Sequence, residues 1–566
     1  MTSKDLIFEA RAQARSAVEG ALAAAVGKGL LPDAPVPPFS VEIPADASHG
    51  DFAANAAMVG AKSYRRPPVK IAQAILDCLE LENTWFARAE IAGPGFLNLF
   101  LRPDWFVRAV GAIVELGESY GRTDTGAGEK VMVEFVSANP TGPMHMGNAR
   151  GGAIGDALAA ALDAAGYEVS REFYINDAGN QIEKFGVSLE ARYLQIYKGE
   201  DAVPFPEDGY QGDDIRVRAQ EYAQLHADAL LQEESSERRR KLVDYALPRN
   251  IQGLREDLER YRIEYDTWFS ESTLHADGTV DKVVRILEEK GMAYEKDGAV
   301  WYKATALGGE KDEVLVRQNG NATYFAADIA YHYNKFAQRG FSRVINVWGA
   351  DHHGHVARLK GAMDAVGLDG SRLDIVLMQL VRLMKDGEPY RMSKRSGKSI
   401  TLTNLLEEVP IDAARFFFNM NAPGSPMDFD LNLAVEQSAK NPVYYVQYAH
   451  ARVCSILGRL EEKGVLPRAC TDEELGLLTA PEELALIRRL AQCPGEIAGA
   501  AQRYDPACLT HYVMEVAALF HKFYDACRVQ GEDASLTQAR LCLCGCVRTT
   551  IANVLRLLKI EAPVSM

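Results

Sequence analysis

The chain has 566 residues, which is too long for one hydrophobic core and predicts about three domains. Its 47% hydrophobic and 25% charged residues are ordinary for a globular protein, and no apolar run is long enough to predict a membrane span. The net charge of −16 does not exclude a nucleic-acid partner, because a local basic surface can coexist with an acidic whole.

The N-terminus and the cysteines predict the compartment. The chain begins with an amphipathic segment and lacks the apolar stretch of a signal peptide. Its nine cysteines include no C-x-x-C pair, which suits a reducing environment and argues against a disulfide framework. We therefore expect a cytoplasmic protein that has no contact with a membrane.

Residues 1–120 predict a small α+β domain. A helical start is followed by a Pro-rich break, a second helix and a pair of alternating strands. A basic turn contains Arg65, Arg66 and Lys70, and it suits either contact with phosphate or ordinary exposure to solvent. The Gly-rich segment 121–130 predicts a domain boundary.

Between residue 126 and about residue 400, predicted strands and helices alternate. This alternation is typical of a doubly wound α/β domain with parallel strands and right-handed crossovers. We expect strands at 131–137, 168–174, 314–317, 343–348 and 374–383, and helices at 147–165, 323–336 and 354–366. Long, charge-rich helices replace this pattern at about 190–300, which predicts a helical insertion.

From residue 401 the pattern is helical nearly to the end. We expect a connecting region at 401–440 and an all-α bundle at 441–566, because apolar residues recur there at helical spacing. One of these helices contains Tyr448 and Arg452 among several other aromatic and polar residues. Such a surface suits stacking with unpaired RNA bases, although packing between helices explains it equally simply.

The stretch from Glu134 to Gly155 carries the clearest signal for a ligand. A strand with one acidic residue leads into a turn rich in Asn, Pro, Thr and Gly and then into a helix of small residues. The turn and the helix N-terminus suit a nucleotide phosphate. Gly147 permits close approach to the backbone, while His145 and Asn148 offer hydrogen-bond donors. A lone histidine in this pattern would more commonly be structural. Here it follows a strand and a turn rich in Pro and Gly, and this context favours contact with a ligand.

A second segment, RMSKRSGKSITL at residues 391–402, follows the last predicted strand. Arg391, Lys394, Arg395 and Lys398 lie within it. Cations beside a nucleotide suit a departing pyrophosphate, whose charge grows in the transition state. Either segment alone permits an ordinary structural interpretation, but together, on two halves of one sheet, they are specific for a nucleotide site.

These two segments resemble the HIGH and KMSKS motifs of class I aminoacyl-tRNA synthetases. Within that class, EFVSANPTGPMHMGNARG, FYINDAGNQI, YFAADIAYHYNKF, WGADHHGHV and DAARFFF are similar to bacterial-type arginyl-tRNA synthetases, and the likeness spans the chain. The resemblance implies an α/β fold: a Rossmann-like catalytic domain, an N-terminal α+β tRNA-binding domain, a region that contacts the tRNA stem, and an all-α anticodon-binding bundle.

The resemblance also implies the activity and the partners. A member of this family is an arginine–tRNA ligase that forms arginyl-adenylate from ATP and L-arginine and then charges tRNA-Arg. We expect Mg²⁺ to assist, no zinc or other resident metal, and a monomeric enzyme. In this family, formation of the adenylate typically requires bound tRNA.

The family motifs assign roles to single residues. Glu134 and Asp328 match the positions that grip the guanidinium of arginine, with Tyr324 one turn before Asp328, and Ser137 and Asn139 match those that hold its amino and carboxylate groups. A planar guanidinium has five donors, which two carboxylates can satisfy.

The remaining assignments concern ATP, tRNA and catalysis. The ATP site would contain Pro143, His145, Gly147, Asn148, Gly349, Asp351, His352, Met392, Ser393 and Lys394. Catalysis would depend on His145, Gly147, Asn148 and Lys394, and tRNA would contact Asn176, Asp177, Tyr448 and Arg452. The neighbouring His353 and His355 suit either a substrate contact or a structural role.

Two motif positions depart from the family pattern. Asn148 replaces the second histidine of HIGH and keeps a donor without its possible charge, and Arg391 replaces the first lysine of KMSKS. The second lysine is retained as Lys394, so we expect an active site.

Three alternatives remain open from the sequence. The chain could be a catalytically decayed synthetase fold that only binds tRNA, a small-molecule ligase of the same superfamily, or a synthetase for Cys, Gln or Glu. The retained motif residues disfavour the first, and the large helical bundle disfavours the second. The acids around the pocket and the missing zinc-ligand cysteines disfavour the third.

Overall fold

In the computed structural model, residues 5–390 and 400–566 are described, except for Gly308 and Glu310. The N-terminal part is an α+β unit. Its elements are α1 Leu6–Gly27, β1 Val41–Glu42, β2 Phe52–Ala54, α2 Ala56–Tyr64, α3 Pro68–Leu76, β3 Phe86–Ala92, β4 Phe96–Leu101 and α4 Pro103–Leu116. The strands form an antiparallel sheet in the order β1-β2-β4-β3, and the predicted strand pair is the β3–β4 hairpin.

The middle of the chain contains the catalytic-domain pattern of alternating strands and helices. Its elements are β5 Lys130–Glu134, α5 Met146–Ala164, β6 Glu168–Ile175, α6 Asn180–Lys198, α7 Asp213–His226, α8 Ser235–Arg260, β7 Thr267–Ser270, α9 Glu271–Ala276, α10 Thr279–Glu289, β8 Ala293–Lys296, β9 Ala299–Tyr302, β10 Glu313–Val316, α11 Tyr324–Tyr333, β11 Arg343–Gly349, α12 His353–Val366, β12 Leu373–Met378, β13 Val381–Lys385 and β14 Glu388–Pro389.

Five of these strands form a parallel sheet in the order β12-β11-β5-β6-β7, which confirms the predicted doubly wound α/β architecture. β5 lies at the centre, so the residues after it lie at the carboxyl edge of the sheet, where such folds bind ligands. The helices α6, α7 and α8 pack around a separate apolar cluster and form the helical part of the predicted insertion.

Two strand predictions were wrong in detail, and one strand was not predicted. The strand predicted at 314–317 does not join the parallel sheet, because β10 pairs antiparallel with β9 in a small separate sheet. The strand predicted at 374–383 is two strands, of which β13 pairs with β14 and with a later strand at 427–430. The edge strand β7 was not predicted, because only four residues separate long helical patterns there.

The C-terminal part is almost entirely helical. Its elements are α13 Leu402–Glu408, α14 Ile411–Phe418, β15 Met427–Asp430, α15 Leu431–Val435, α16 Pro442–Glu462, α17 Asp472–Leu475, α18 Pro481–Ala491, α19 Cys493–Arg503, α20 Ala507–Ala526 and α21 Ala534–Leu557. All nine cysteines are free thiols. In the described parts of the chain, no helix has the length and apolarity needed to cross a membrane.

Helix α5 packs unusually close to the central strand because glycines face it. A Cβ at Gly155 would lie 2.2 Å from the Phe135 ring, and one at Gly152 would lie 2.7 Å from Ile263. Side chains at either position would push the helix away from the sheet. The glycines therefore set the position of the helix N-terminus relative to the end of β5.

Arg150 connects α5 to the chain segments beside it. Its guanidinium is fully buried and donates to the carbonyl oxygens of Gln379 (2.7 Å), Ala422 (3.2 Å) and Ser425 (3.0 Å). Burial lowers the pKa of Arg150 to about 10. Arg150 therefore fixes the end of β12 and the approach to β15 against α5.

A second buried arginine connects α5 to the C-terminal bundle. Arg415 on α14 pairs with Asp156 on α5, and it also donates to the carbonyl oxygens of Tyr261 (2.9 Å) and Leu558 (2.7 Å). Both charged side chains are almost completely buried. Arg415 and Asp156 therefore hold α5, the end of α8 and the end of the bundle in one arrangement.

Replacing Arg415 with methionine should strongly destabilise the protein. The substitution leaves the Asp156 carboxylate buried without its cation, and breaking a buried pair in this way costs about 3–5 kcal/mol. We expect a clear fall in the urea midpoint, followed by circular dichroism.

The control is Arg382→Met, which breaks an ion pair with Asp428 at the surface, where the arginine side chain is 71% exposed. Such pairs contribute little, so the midpoint should stay near that of the parent. Equal effects of the two substitutions would contradict a special role for the buried pair.

Candidate active site

The backbone is strained immediately after β5. Val136 and Ser137 adopt φ angles of 69° and 42°, in the left-handed region that a β-branched residue such as valine rarely enters. Each such residue costs about 1–3 kcal/mol and persists only where neighbouring contacts impose it. Ser137 Oγ donates to Glu134 Oε1 (3.0 Å) and accepts from the backbone N–H of Tyr174 (3.1 Å), which holds the turn.

Glu134 is 6% exposed, and its carboxylate already has an internal cation. The ammonium group of Lys335, which is fully buried, donates to Glu134 Oε2. The sequence predicts that an unpaired Glu134 would be costly, and the chain itself supplies a partner. The direct contact of Glu134 with a substrate guanidinium stays a prediction.

The N-terminus of α5 brings three predicted residues together. His145 is the N-cap residue of the helix, and its backbone N–H donates to Asn148 Oδ1 (3.0 Å). Asn148 therefore stabilises the helix start, which gives this departure from the HIGH pattern a structural role. A Cβ on Gly147 would lie 3.2 Å from the His145 ring, so the glycine leaves room for that ring. The predicted Pro143 is exposed just before them.

The two predicted motifs meet at this helix N-terminus. The N–H of Met146 donates to the carbonyl of Ile400 (2.9 Å), and the N–H of Leu402 donates to that of Met144 (2.8 Å). Ile400 directly follows the predicted cationic segment, whose residues Arg391, Met392, Ser393, Lys394, Arg395 and Lys398 lie outside the described residues. The described end of the segment, from Ile400 onward, therefore lies beside the turn that contains His145.

A cavity of about 440 Å³ lies at the carboxyl edge of the sheet. Its lining comprises Asp328, Asp351, His352, Gly354, His355 and Arg358. Asp351 and His352 are exposed, and Gly349 ends β11 immediately before them. The cavity therefore combines residues predicted for arginine with residues predicted for ATP.

The Asp328 carboxylate is oriented by a relay of three side chains. His355 Nε2 lies 2.9 Å from Asp328 Oδ2, and the guanidinium of Arg358 lies 3.0 Å from His355 Nδ1 and 2.6 Å from Glu313. Because arginine can only donate, Nδ1 of His355 is the acceptor, so Nε2 carries the proton toward Asp328. His355 thus has a definite role, which the sequence left open.

A second acid, Glu271, lies near Asp328 and was missed by the sequence analysis. It is 3% exposed and accepts a hydrogen bond from the hydroxyl of Tyr174 (2.8 Å). Burial raises the pKa of Glu271, and the negative charge of Asp328 raises it further. In the described parts of the chain, neither carboxylate has a lysine or arginine at ion-pair distance. Glu271 directly follows β7, so recognising that strand would have identified it.

Tyr324 and Asp328 occupy the same face of α11, as their spacing predicts. The Tyr324 side chain is 41% exposed, and its hydroxyl accepts from the N–H of Gln181 (3.3 Å). Asn139, which is exposed, lies in the turn between β5 and α5. Both residues remain accessible at the edge of the site.

The residues predicted to bind tRNA lie in two places. Asn176 and Asp177 directly follow β6. Both carboxylate oxygens of Asp177 accept from Ser272, one from its N–H (2.9 Å) and one from its Oγ (2.8 Å). These hydrogen bonds fix the start of α9, whose first residue is Glu271. Its contact with tRNA stays a prediction.

Tyr448 and Arg452 lie far along the chain, on α16 of the bundle. Arg452 lies 3.4 Å from His521 Nδ1 and over the ring of Tyr524 (4.4 Å), and Tyr448 lies 6.1 Å from the His521 ring. The two helices α16 and α20 therefore share one aromatic and basic surface. The sequence analysis missed His521 and Tyr524.

Comparisons with known protein families agree along the chain. Residues 12–101 match the family described as "Arginyl tRNA synthetase N terminal domain", and residues 110–453 match "tRNA synthetases class I (R), catalytic domain". Residues 446–566 match "DALR anticodon binding domain". The parallel sheet, the edge cavity and these matches define a class I aminoacyl-tRNA synthetase.

Comparison with individual proteins identifies the family within this class. The chain is 55% identical over 554 residues to the arginine–tRNA ligase of Acetivibrio thermocellus, covering 98% of both chains, and 53% identical over 563 residues to that of Ruminiclostridium cellulolyticum, covering 100% of both. The structure of Thermus thermophilus arginyl-tRNA synthetase has the same fold, with a TM-score of 0.73, 24% identity, and coverage of 98% of this chain and 100% of that one. The chain belongs to the arginyl-tRNA synthetase family.

These matches confirm the predicted family, the fold class and the activity of an arginine–tRNA ligase. They lend no support to a catalytically decayed protein.

Proposed function

We propose that this chain activates L-arginine with ATP to form arginyl-adenylate and transfers the arginyl group to the 3′-terminal adenosine of tRNA-Arg. The observation that carries the proposal is the pair of neighbouring acids Asp328, which lines the edge cavity, and Glu271. Burial and the neighbouring charge of Asp328 raise the pKa of Glu271, and a bound cation between the two carboxylates would offset this repulsion. A guanidinium satisfies both, because its five donors form a planar fork.

In this proposal, the guanidinium lies between Asp328 and Glu271, and Tyr324 borders it. Ser137 and Asn139 bind the amino and carboxylate groups at the end of β5. Lysine binds poorly, because its ammonium is a point charge with a different reach. Citrulline is rejected more strongly, since it leaves both carboxylates without a cation.

ATP lies at the other end of the site. His145, Asn148 and Lys394 contact the phosphates, and Gly147 permits close approach of the nucleotide to the helix N-terminus. The nucleotide is further bordered by Pro143, Gly349, Asp351, His352, Met392 and Ser393. Mg²⁺ enters with the substrate as its ATP complex and offsets the charge of the phosphates.

The chemistry requires positioning more than proton transfer. The arginine carboxylate is already ionised and attacks the α-phosphorus in line, and the bond to the leaving pyrophosphate breaks. A hydroxyl of the terminal adenosine then attacks the arginyl carbonyl carbon and releases AMP. The site contributes by aligning the reactants and by stabilising the growing charge on the pyrophosphate.

The other domains bind the tRNA. We assign the N-terminal unit (1–120) and the bundle (441–566) to tRNA contacts. The bundle contributes Tyr448, which is exposed, and Arg452, which is half-buried, and an aromatic ring with a guanidinium suits unpaired bases. The catalytic domain spans 126–400, and 401–440 contacts the tRNA stem together with Asn176 and Asp177. We further propose that the enzyme is a cytoplasmic monomer.

Arginine-dependent charging tests the function directly. The purified chain should attach radiolabelled arginine to a tRNA-Arg transcript and should exchange pyrophosphate into ATP when arginine and tRNA are present. Glutamine, glutamate, cysteine and lysine serve as control amino acids. Charging with one of these instead of arginine would refute the proposal.

The raised pKa of Glu271 predicts a pH dependence for arginine binding. In the free enzyme, Glu271 keeps its proton at pH values where an ordinary glutamate, with a pKa of 4.5, has lost it. A guanidinium favours the ionised form, so the KM for arginine should fall as the pH rises from about 5 toward neutrality. Glu271→Gln should raise this KM and flatten its pH profile. The exposed Glu289→Gln is the control and should keep the parent profile.

Two substitutions should affect different kinetic constants, one the KM for arginine and the other kcat. Asp328→Asn removes a charged acceptor from the guanidinium, so the KM for arginine should rise roughly 10- to 100-fold. Lys394→Ala should lose about 2–4 kcal/mol of transition-state stabilisation, seen as a lower kcat with little change in that KM. An unchanged KM in the first variant, or an unchanged kcat in the second, would show that the residue has another role.

A further inference from the structure

Lys335 is a fully buried lysine that no step of the proposed reaction uses. It lies in the π-helical turn Asn334–Gln338, directly after α11. Its ammonium donates to Glu134 Oε2 and to Asn346 Oδ1 (3.3 Å), and it lies 3.9 Å from the centre of the Tyr331 ring. Single π-helical turns occur frequently at functional sites.

The ion pair of Lys335 and Glu134 requires an explanation other than stability. Removing two charges from water is costly, and apolar residues of similar volume often stabilise a fold equally well. A buried pair therefore suggests that its geometry matters. Glu134 is the last residue of β5, so the pair fixes the point where the strand enters the strained turn.

The contacts of Glu134 lead from Lys335 to the substrate edge. While Oε2 accepts from Lys335, Oε1 accepts from Ser137 Oγ (3.0 Å), and the same hydroxyl accepts from the N–H of Tyr174 (3.1 Å). Ser137 and its neighbour Val136 have the positive φ angles described above for the turn after β5. The carboxylate thus imposes a backbone conformation that the residues themselves disfavour.

The opposite side of Lys335 is equally constrained. Burial lowers the pKa of His332 well below its usual value, so its ring is neutral. Its Nδ1 lies 2.8 Å from the carbonyl of Asp328 and must donate, so Nε2 accepts from Asn346 Nδ2 (3.1 Å). The Asn346 oxygen then faces Lys335, and each group in the chain has one fixed role.

We propose that Lys335 is a positioning residue of the arginine site, which acts through Glu134 to hold the Val136–Ser137 turn that receives the α-amino end of arginine. Glu134 then shapes the site and does not bind the guanidinium, in contrast to the role expected from the family motif. The inference rests on the proposed function, because it assumes that arginine is the substrate.

A double-mutant cycle tests the ion pair. Lys335→Met leaves Glu134 as an unpaired buried anion, and Glu134→Gln leaves Lys335 as an unpaired buried cation. Each single variant should raise the KM for arginine by about tenfold or more, whereas the double variant removes both charges and should return to within about threefold of the parent. If Glu134 bound the guanidinium, the double variant would keep the full defect of Glu134→Gln.

A substrate analogue separates the two ends of arginine. 5-Guanidinopentanoate, which is arginine without its α-amino group, should inhibit pyrophosphate exchange with nearly the same inhibition constant in the parent and in Lys335→Met. A parallel weakening of arginine and of this analogue would overturn the proposal, because it would place the defect at the guanidinium end.

Controls separate a local effect from misfolding. Lys282→Met removes an exposed lysine that also lies over an aromatic ring, 4.9 Å from the centre of Tyr333, and should change neither constant. The melting temperature should fall in each single variant of the ion pair, because one buried charge is left unpaired, and recover in the double variant. The circular dichroism spectrum and tRNA-Arg binding at the assay temperature should match the parent in every variant that folds. Should Lys335→Met not fold, the comparison of Glu134→Gln with the double variant still decides, since only the proposed role predicts recovery. A parent enzyme without arginine-dependent exchange would instead refute the proposed function itself.

Discussion

The close packing of α5 against the central strand is the constraint on which the site depends. Gly152 and Gly155 permit it, since a Cβ at either position would overlap with a neighbouring side chain. The same helix begins directly after His145. Its Arg150 binds the segments beside β12 and β15, and its Asp156 pairs with Arg415. A small displacement of α5 would therefore shift both the turn that contains His145 and the position of the bundle.

Charge is distributed unevenly across the candidate site. Asp328 and Glu271 create an acidic pocket that favours a cation, while the N-terminus of α5 favours the anionic phosphates of ATP. Arginine carries its guanidinium at one end and its reactive carboxylate at the other. This distribution matches the binding mode proposed above, in which the guanidinium lies at the acids and the carboxylate lies toward the nucleotide.

Two hydrogen-bonded relays orient the acids around the pocket. Arg358 and His355 hold Asp328 from the cavity side, and Lys335 holds Glu134 from the interior. In both relays, the donors and acceptors can be assigned because one member has only one possible role. Preorganised groups of this kind need not rearrange when substrate binds, which is how a site favours one amino acid among similar ones.

The sequence by itself determined the family, the α/β class, the helical C-terminus and the pair of motifs, because local patterns and adjacent residues carry that information. It also indicated His145, Gly147 and Asn148, whose meeting at one helix N-terminus follows from their spacing. Only the tertiary structure decided the partners of buried charges. Glu271 lies near Asp328, and Lys335 pairs with Glu134, which is 201 residues away along the chain. No local sequence pattern encodes either of these proximities. A carboxylate's role depends on the charge beside it in space, and the fold alone determines that neighbour.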